Sequence, residues 1–485
     1  MKIAIVAAEV TPYAKAGGLA DVIGALPGAL AAAGCDVSVV IPGYKCALNI
    51  LSGAFVADRM TVEVGAHQER FTVRGAPGPR KVQYYLIEHS GYFGRDGIYG
   101  EKGRDYFDNL RRYVFFGRAA AATIARLIKP DVVHAHDWHA SVVPIAIGAD
   151  PAMRESFARA ISVFTIHNMA FQGICDAGEF PLLNLDWSYF SINCLEFHGS
   201  INLMKGAVVL ADAASTVSPT YAREVTQSGE LGFGLEGVLR AKGDRFIGIL
   251  NGADYNEWDP ARDEIIAARY APPTREHKRL CTADLRARVG LPEAEGVPVV
   301  GMITRMSPQK GLDLLRDALP AVMEMDLQLV ILGSGDPVLE NHFREAETRY
   351  PERLRMVTAF DNALAHRIQA GSDMFLMPSR FEPCGLTQMY ALKYGTVPVV
   401  RATGGLRDTI SEFDPHSGSG NGFVFHDYRT EELVAALARA VETHRSRQLW
   451  GRLMDNCFAA DFSWDRAASE YLGWFKRLRE ERGLA

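Results

Sequence analysis

Apolar residues along the chain fall into two repeating patterns. Short, nearly continuous apolar runs at residues 3–8, 37–41, 82–87, 131–135 and 160–166 predict strands, and amphipathic stretches at 19–33 and 109–127 predict helices between them. The same alternation returns at 297–303, 327–332, 353–357, 374–377 and 397–400, with helices at 312–324, 363–370 and 431–444. Strands that are apolar at almost every position belong to parallel sheets covered by helices on both faces. The pattern breaks near 242–249, where Gly243-Asp244-Arg245 interrupts it. The prediction is therefore α/β, with two Rossmann-like doubly wound domains at 1–245 and 246–462. A last helix at 464–479 follows the completed second sheet. Its Tyr471, Trp474, Phe475 and Leu478 recur at helical spacing and predict a buried face, so 463–485 is expected to pack back on the first domain.

Open α/β sheets bind ligands beyond the carboxyl ends of their strands, so chemistry is expected in the polar residues that follow each run. Run 374–377 leads into Pro378-Ser379-Arg380-Phe381-Glu382-Pro383-Cys384-Gly385-Leu386-Thr387, and 386–394 reads as a helix. Glu382 thus lies in a strand-to-helix turn, beside helix-start N–H groups that favour an anion. Run 297–303 leads into Thr304-Arg305-Met306-Ser307-Pro308-Gln309-Lys310-Gly311. Two cations, Arg305 and Lys310, flank this loop; with the helix-start amides they make a diphosphate site that needs no metal. The chain has no Asp-x-Asp pair to hold a metal diphosphate. Thr403-Gly404-Gly405 adds a further glycine-rich strand-to-helix turn on the same edge.

In the first domain, Lys15-Ala16-Gly17-Gly18-Leu19-Ala20-Asp21 follows the first strand. Paired glycines before a helix let a ligand approach backbone N–H groups, and Lys15 adds a point charge. The spacing is neither G-x-G-x-x-G nor a P-loop. The next strand end reads His134-Ala135-His136-Asp137-Trp138-His139. Strand alternation puts His134 and His136 on one face, with Asp137 and His139 beyond it, which does not favour a metal site. Asp137 and Trp138 suit a sugar better, through carboxylate–hydroxyl bonds and ring stacking. A third strand end places His167 beside Asn168.

Composition narrows the class. With 485 residues, 48% hydrophobic and 23% charged, and a formal net charge of −6 without long like-charged blocks, neither nucleic acid nor an anionic membrane is an expected partner. Seven scattered cysteines with no C-x-x-C pair read as reduced thiols. No leader or uninterrupted membrane-length segment is evident, so a soluble cytoplasmic protein is expected.

Taken together, Lys15-Ala16-Gly17-Gly18-Leu19, His136-Asp137-Trp138, Ile166-His167-Asn168, Asn251-Gly252, Arg305 with Lys310-Gly311, and residues 378–387 resemble the bacterial glycogen synthases in order and spacing. The resemblance implies a retaining glycosyltransferase of the GT-B fold, with two domains facing across a cleft. It would move glucose from ADP-glucose to the non-reducing end of glycogen or another α-1,4-glucan, with no metal or other cofactor. It further implies that Lys15, Gly17 and Gly18 contact the diphosphate, with Asp21 counted in the donor site. Arg305 and Lys310 would stabilise the departing phosphate, and Glu382 would hold the donor glucose hydroxyls near Cys384 and Gly385. Leu386 and Thr387 would contact ribose and phosphate, Asn251 and His167 the donor glucose, and Phe360 the base. Asp137, Trp138 and Asn168 would lie on the acceptor side; Tyr92 is a further candidate there, with a core or loop-anchor role an equal alternative. Front-face attack and covalent double displacement both remain open at this stage.

Three departures qualify the resemblance. Ala16 stands where many members have Thr, and Phe360 where a base-stacking Tyr is expected. Tyr390 stands eight residues after Glu382, where the wider retaining GT-B group often has a second Glu. Rival readings are a UDP-glucose-dependent transferase, an epimerase with a similar double-domain cleft, and a glucan-binding scaffold without turnover. Oligomeric state has no signature in the sequence.

Overall fold

A computed structural model describes residues 1–51, 53–101, 103–359 and 361–484. The chain divides into two compact units, Met1–Gly252 with Trp464–Ala485, and Ala253–Ser463. Among the described residues, no helix is long and apolar enough to cross a membrane.

The first unit contains a nine-stranded sheet: β1 (Lys2–Val6), β2 (Asp36–Pro42), β3 (Ala54–Val64), β4 (His67–Pro77), β5 (Gln83–Glu88), β6 (Val132–His136), β7 (Ile161–Ile166), β8 (Ala213–Thr216) and β9 (Phe246–Gly248). Their order is β9-β8-β7-β6-β1-β2-β5-β4-β3. Pairing is parallel from β9 to β5, and β4 and β3 add an antiparallel edge. The central strands are buried along nearly their whole length, as their continuous apolar runs require, whereas β3 is largely exposed. From β1 the chain winds outward through β2 to one side and later through β6 to the other. The order therefore reverses between β1 and β6, and the segments after these two strands form the switch point.

The sequence break near 242–249 lies several residues too early. Residues 246–248 pair in parallel with β8, Ala214 against Phe246 and Thr216 against Gly248, and so complete the first sheet. A strand of three residues leaves too little periodicity to be read. The unit boundary follows at Gly252–Ala253, and the chain re-enters the first unit at Trp464. The helix Trp464–Glu481 buries Trp464, Tyr471, Trp474, Phe475 and Leu478 in the first unit's core. Each such side chain contributes roughly 1.5–3 kcal/mol.

The second unit repeats the plan with six parallel strands: β10 (Val299–Ile303), β11 (Gln328–Leu332), β12 (Leu354–Val357), β13 (Met374–Met377), β14 (Val397–Arg401) and β15 (Phe423–Phe425). The order β12-β11-β10-β13-β14-β15 reverses between β10 and β13. Residues 304–311 and 378–386, which follow those strands, therefore occupy this unit's switch point.

Candidate active site

In the second unit the two switch-point segments are tied together. Lys310 donates to both carboxylate oxygens of Glu382, at 2.8 Å to Oε1 and 2.6 Å to Oε2, and the Ser379 hydroxyl donates to Oε2 at 3.1 Å. Glu382 is only 4% exposed, so this is a buried charge with its cation and one further donor supplied. The backbone holds the same register. Arg380 N–H donates to the Gln309 carbonyl at 2.9 Å. Gly311 has φ +75°, and a Cβ there would lie 2.0 Å from the Pro378 carbonyl oxygen. Arg305 is exposed and makes no ion pair among the described residues, so its guanidinium is available to a ligand.

Glu382 is seated from below by the turn after β14. A Cβ on Gly404 (φ +45°) would lie 1.9 Å from the Glu382 carbonyl oxygen, one on Gly405 would lie 2.0 Å from that of Cys384, and Gly405 N–H donates to the Glu382 carbonyl at 3.0 Å. These glycines are the cradle of the Glu382 turn. Cys384 is buried, and Gly385 has φ +72°. Leu386 precedes the helix Thr387–Lys393, with Thr387 half-buried and its hydroxyl on the Met377 sulfur. The Tyr390 ring stacks on Trp258 at 4.5 Å, and Trp258 on His366 at 3.9 Å, so Tyr390 serves packing behind that helix. Phe360, expected at the base, lies outside the described residues.

In the first unit the segment after β1 contains a residue that the sequence reading passed over. Glu9 is 4% exposed, and its Oε2 accepts from Ala16 N–H at 2.7 Å and Gly17 N–H at 2.6 Å, while Oε1 accepts from the Tyr99 hydroxyl at 2.6 Å. One of the amides expected to meet a ligand, that of Gly17, is thus held by Glu9. A lone carboxylate in an apolar stretch has no spacing signature that would have marked it. Lys15 is paired to Asp21 at 2.6 Å, and Thr11 donates to the same oxygen at 3.1 Å, so Asp21 acts here as the seat of Lys15. Gly17 and Gly18 are exposed. A Cβ on Gly18 would meet nothing within 4 Å, and one on Gly17 only the Glu9 carboxylate at 3.8 Å. Neither packing nor backbone angle demands glycine at these two positions, which leaves room for a group approaching from outside.

Asp137, directly after β6, has φ +58° and ψ 172°, a region suited to glycine and costing about 1–3 kcal/mol in other residues. Its Oδ1 accepts from His167 N–H at 2.8 Å. Burial pushes its carboxyl up to about 7, assisted by Glu9 and opposed by the His167 N–H. Trp138 lies against His139, with ring centres 4.1 Å apart, and His139 stacks on Tyr99 at 4.5 Å. His134 and His136 do share one face, 4.0 Å apart, and His136 Nδ1 hydrogen-bonds His167 Nε2 at 3.0 Å. Asn168 uses its Oδ1 to accept from Ala170 N–H at 3.0 Å. Asn251 is buried, and its Oδ1 has no partner among the described residues.

Tyr92 does not fit the acceptor-side expectation. It is 8% exposed, stacks on His89 at 4.2 Å, donates its hydroxyl to Glu69 at 2.9 Å and accepts from Arg111 at 2.8 Å. An aromatic in a loop-like stretch of sequence proves to be core, with its polar tip fully used.

The histidine row predicts a pH response. Burial holds His134 down to about 3 and His136 well below its usual value, and both are 0% exposed. Below pH 6.5 the unfolded chain takes up protons that these rings refuse in the native state. Their contribution is therefore complete above pH 6.5 and lost as pH falls; for His134 the loss is about 2 kcal/mol between pH 6.5 and 5. Asp137 has the opposite sign, because its raised native value favours the folded state as pH falls from 7 towards 4, and it offsets about one histidine. Urea unfolding at pH 5 is expected to show the first unit less stable than at pH 6.5. Equal or greater stability at pH 5 would contradict this.

The chain is similar to known proteins over its whole length. Residues 2–241 match the family described as "Starch synthase catalytic domain", and residues 285–452 match "Glycosyl transferases group 1". The chain is 45% identical to a glycogen synthase of Anaeromyxobacter sp. (strain Fw109-5) and 44% identical to one of Koribacter versatilis, each over 99% of both chains. It superposes on the catalytic domain of starch synthase IV from Arabidopsis thaliana, bound to ADP and acarbose, with a TM-score of 0.90 at 33% identity over 99% of both chains. A sucrose-phosphate synthase from Thermosynechococcus elongatus, 19% identical with a TM-score of 0.61, shares the fold.

Proposed function

Since the chain belongs to the glycogen and starch synthase family of retaining GT-B glycosyltransferases, we propose that it transfers glucose from ADP-glucose to the non-reducing end of an α-1,4-glucan, releasing ADP. The observation that carries the reading is the buried Glu382 held by Lys310 at a switch point, with the unpaired Arg305 on the same segment. Breaking a glycosyl–phosphate bond builds positive charge on the sugar and negative charge on the diphosphate. Fixed cations at the diphosphate therefore gain most in the transition state. In this reading Lys310 and Arg305 take the departing charge, assisted by Lys15 and the Gly18 amide, so no metal is called for. Glu382 accepts hydroxyls of the donor glucose. With Glu382 engaged by those hydroxyls, attack in this reading is from the front face, with a donor phosphate oxygen receiving the acceptor proton. His167 and Asn251 belong to the reacting sugar, and Asp137, Trp138 and Asn168 to the acceptor. A cytoplasmic setting is part of the same proposal, supported by seven cysteines that are all free thiols.

The test is nucleoside diphosphate release from ADP-glucose and from UDP-glucose, each with and without glycogen. Glycogen-dependent release, faster with ADP-glucose, is the expected result. Faster release from UDP-glucose would keep the chemistry and overturn the donor, and hydrolysis that ignores glycogen would overturn the acceptor.

A further inference from the structure

The Lys310–Glu382 pair has a second pair beside it, of opposite polarity. Asp313, three residues after Lys310 in the first turn of the helix Leu312–Glu324, accepts from Arg380 at 2.9 Å through Oδ2, and Arg380 lies two residues before Glu382. The Tyr428 hydroxyl donates to the other Asp313 oxygen at 2.5 Å, and the Arg380 guanidinium lies over the Tyr428 ring, 4.2 Å from its centre. Arg401, at the end of β14, donates to the Arg380 carbonyl at 2.6 Å. Three of this unit's strand-end segments and the Tyr428 loop thus meet at one cluster, which the activity derived above does not use.

We propose that Asp313, Arg380 and Tyr428 form a positioning clamp that sets the register between the Lys310 segment and the Glu382 segment. The two segments carry their charges in crossed order. Lys310 and Asp313 on one meet Glu382 and Arg380 on the other. A slip in one direction would bring Lys310 towards Arg380, and a slip in the other would bring Asp313 towards Glu382, so like charges oppose a slip either way. Arg380 reaches Asp313 while its planar guanidinium stacks on Tyr428, a combination lysine cannot reproduce. The clamp matters most during turnover. When a donor diphosphate draws Lys310 away from Glu382, the inner tie opens, and the outer pair keeps the two side chains at their working separation.

The proposal rests on the assignment of Lys310 and Glu382 to the donor, and the experiment separates the two. Wild type, Asp313→Asn, Arg380→Gln, the double variant and Tyr428→Phe are assayed for kcat and donor KM with ADP-glucose and glycogen, alongside melting temperature. The outer pair is partly exposed, so its loss is expected to move the melting temperature by only a few degrees. Each single variant is expected to lose roughly tenfold in kcat with KM nearly unchanged, as sub-ångström misplacement of catalytic groups does. The double variant is expected to be no worse than the weaker single one, because both remove the same contact. Arg380→Lys is expected to recover only part of the loss. Wild-type kcat in the single variants, or losses that multiply in the double variant, would overturn the clamp. Silence of the wild type with ADP-glucose would overturn the donor assignment, and the clamp with it.

Discussion

Lys310→Ala is expected to lower kcat for glucosyl transfer by two to three orders of magnitude. Its ammonium is the only cation on Glu382 among the described residues and stands on the segment that opens with Arg305. A donor aimed at charge that develops only in the transition state contributes roughly 3–4 kcal/mol to the barrier, which sets that magnitude. The substitution also has a cost in the resting protein. It leaves a carboxylate that is 4% exposed with only the Ser379 hydroxyl as a donor among the described residues. Breaking a buried pair from one side costs about 3–5 kcal/mol; Lys310 retains 23% side-chain exposure, which points to the lower end. The double variant Lys310→Ala/Glu382→Ala removes the stranded charge. It should regain most of the stability and none of the activity. Comparing the two by melting temperature and by kcat therefore separates catalysis from folding. A Lys310→Ala protein with normal turnover would contradict the role given to this pair.

Gly404→Ala is expected to damage both stability and turnover. The new methyl would lie 1.9 Å from the Glu382 carbonyl oxygen, in a residue whose φ of +45° already disfavours a side chain. The backbone conformation costs about 1–2 kcal/mol and overpacking another 1–3. Relief requires the Gly404 turn and the Glu382 turn to move apart, and a shift of Glu382 near 1 Å costs about a hundredfold in rate. Gly405→Ala meets the same obstruction at the Cys384 carbonyl without a positive φ, so it isolates the clash from the strain. Gly18→Ala is the contrast. Its Cβ meets nothing within 4 Å at the start of the helix Gly18–Ala32, and the substitution is expected to stabilise slightly, by about 0.4–1 kcal/mol. A Gly18→Ala protein that melts normally but turns over slowly would report a ligand at that backbone. Normal activity in Gly404→Ala at an unchanged melting temperature would contradict the cradle.

What the sequence disclosed follows from the range of each interaction. The central strands were legible because strands buried on both faces must be apolar throughout, and the polar residues after them marked the strand ends. The hairpin Ala54–Val64 with His67–Pro77 escaped notice because the first strand is largely exposed and both mix polar with apolar positions. Lys310 and Glu382 could be singled out separately as switch-point residues, but their contact spans 72 residues and has no local trace. The same holds for Asp313 with Arg380, 67 residues apart, and for Glu9 with Tyr99, 90 apart. Tyr92 could be read from sequence as either acceptor-side or core, for the converse reason. Its neighbours in sequence look like loop, while its neighbours in space, His89, Phe115 and Glu69, make it core.

The most direct test of the central claim is transfer of labelled glucose from ADP-glucose into glycogen by the wild type and by Lys310→Ala/Glu382→Ala, side by side. The account predicts α-1,4-linked label from the wild type and a loss of at least two orders of magnitude in a variant that still melts cooperatively. Equal incorporation by both proteins would contradict it.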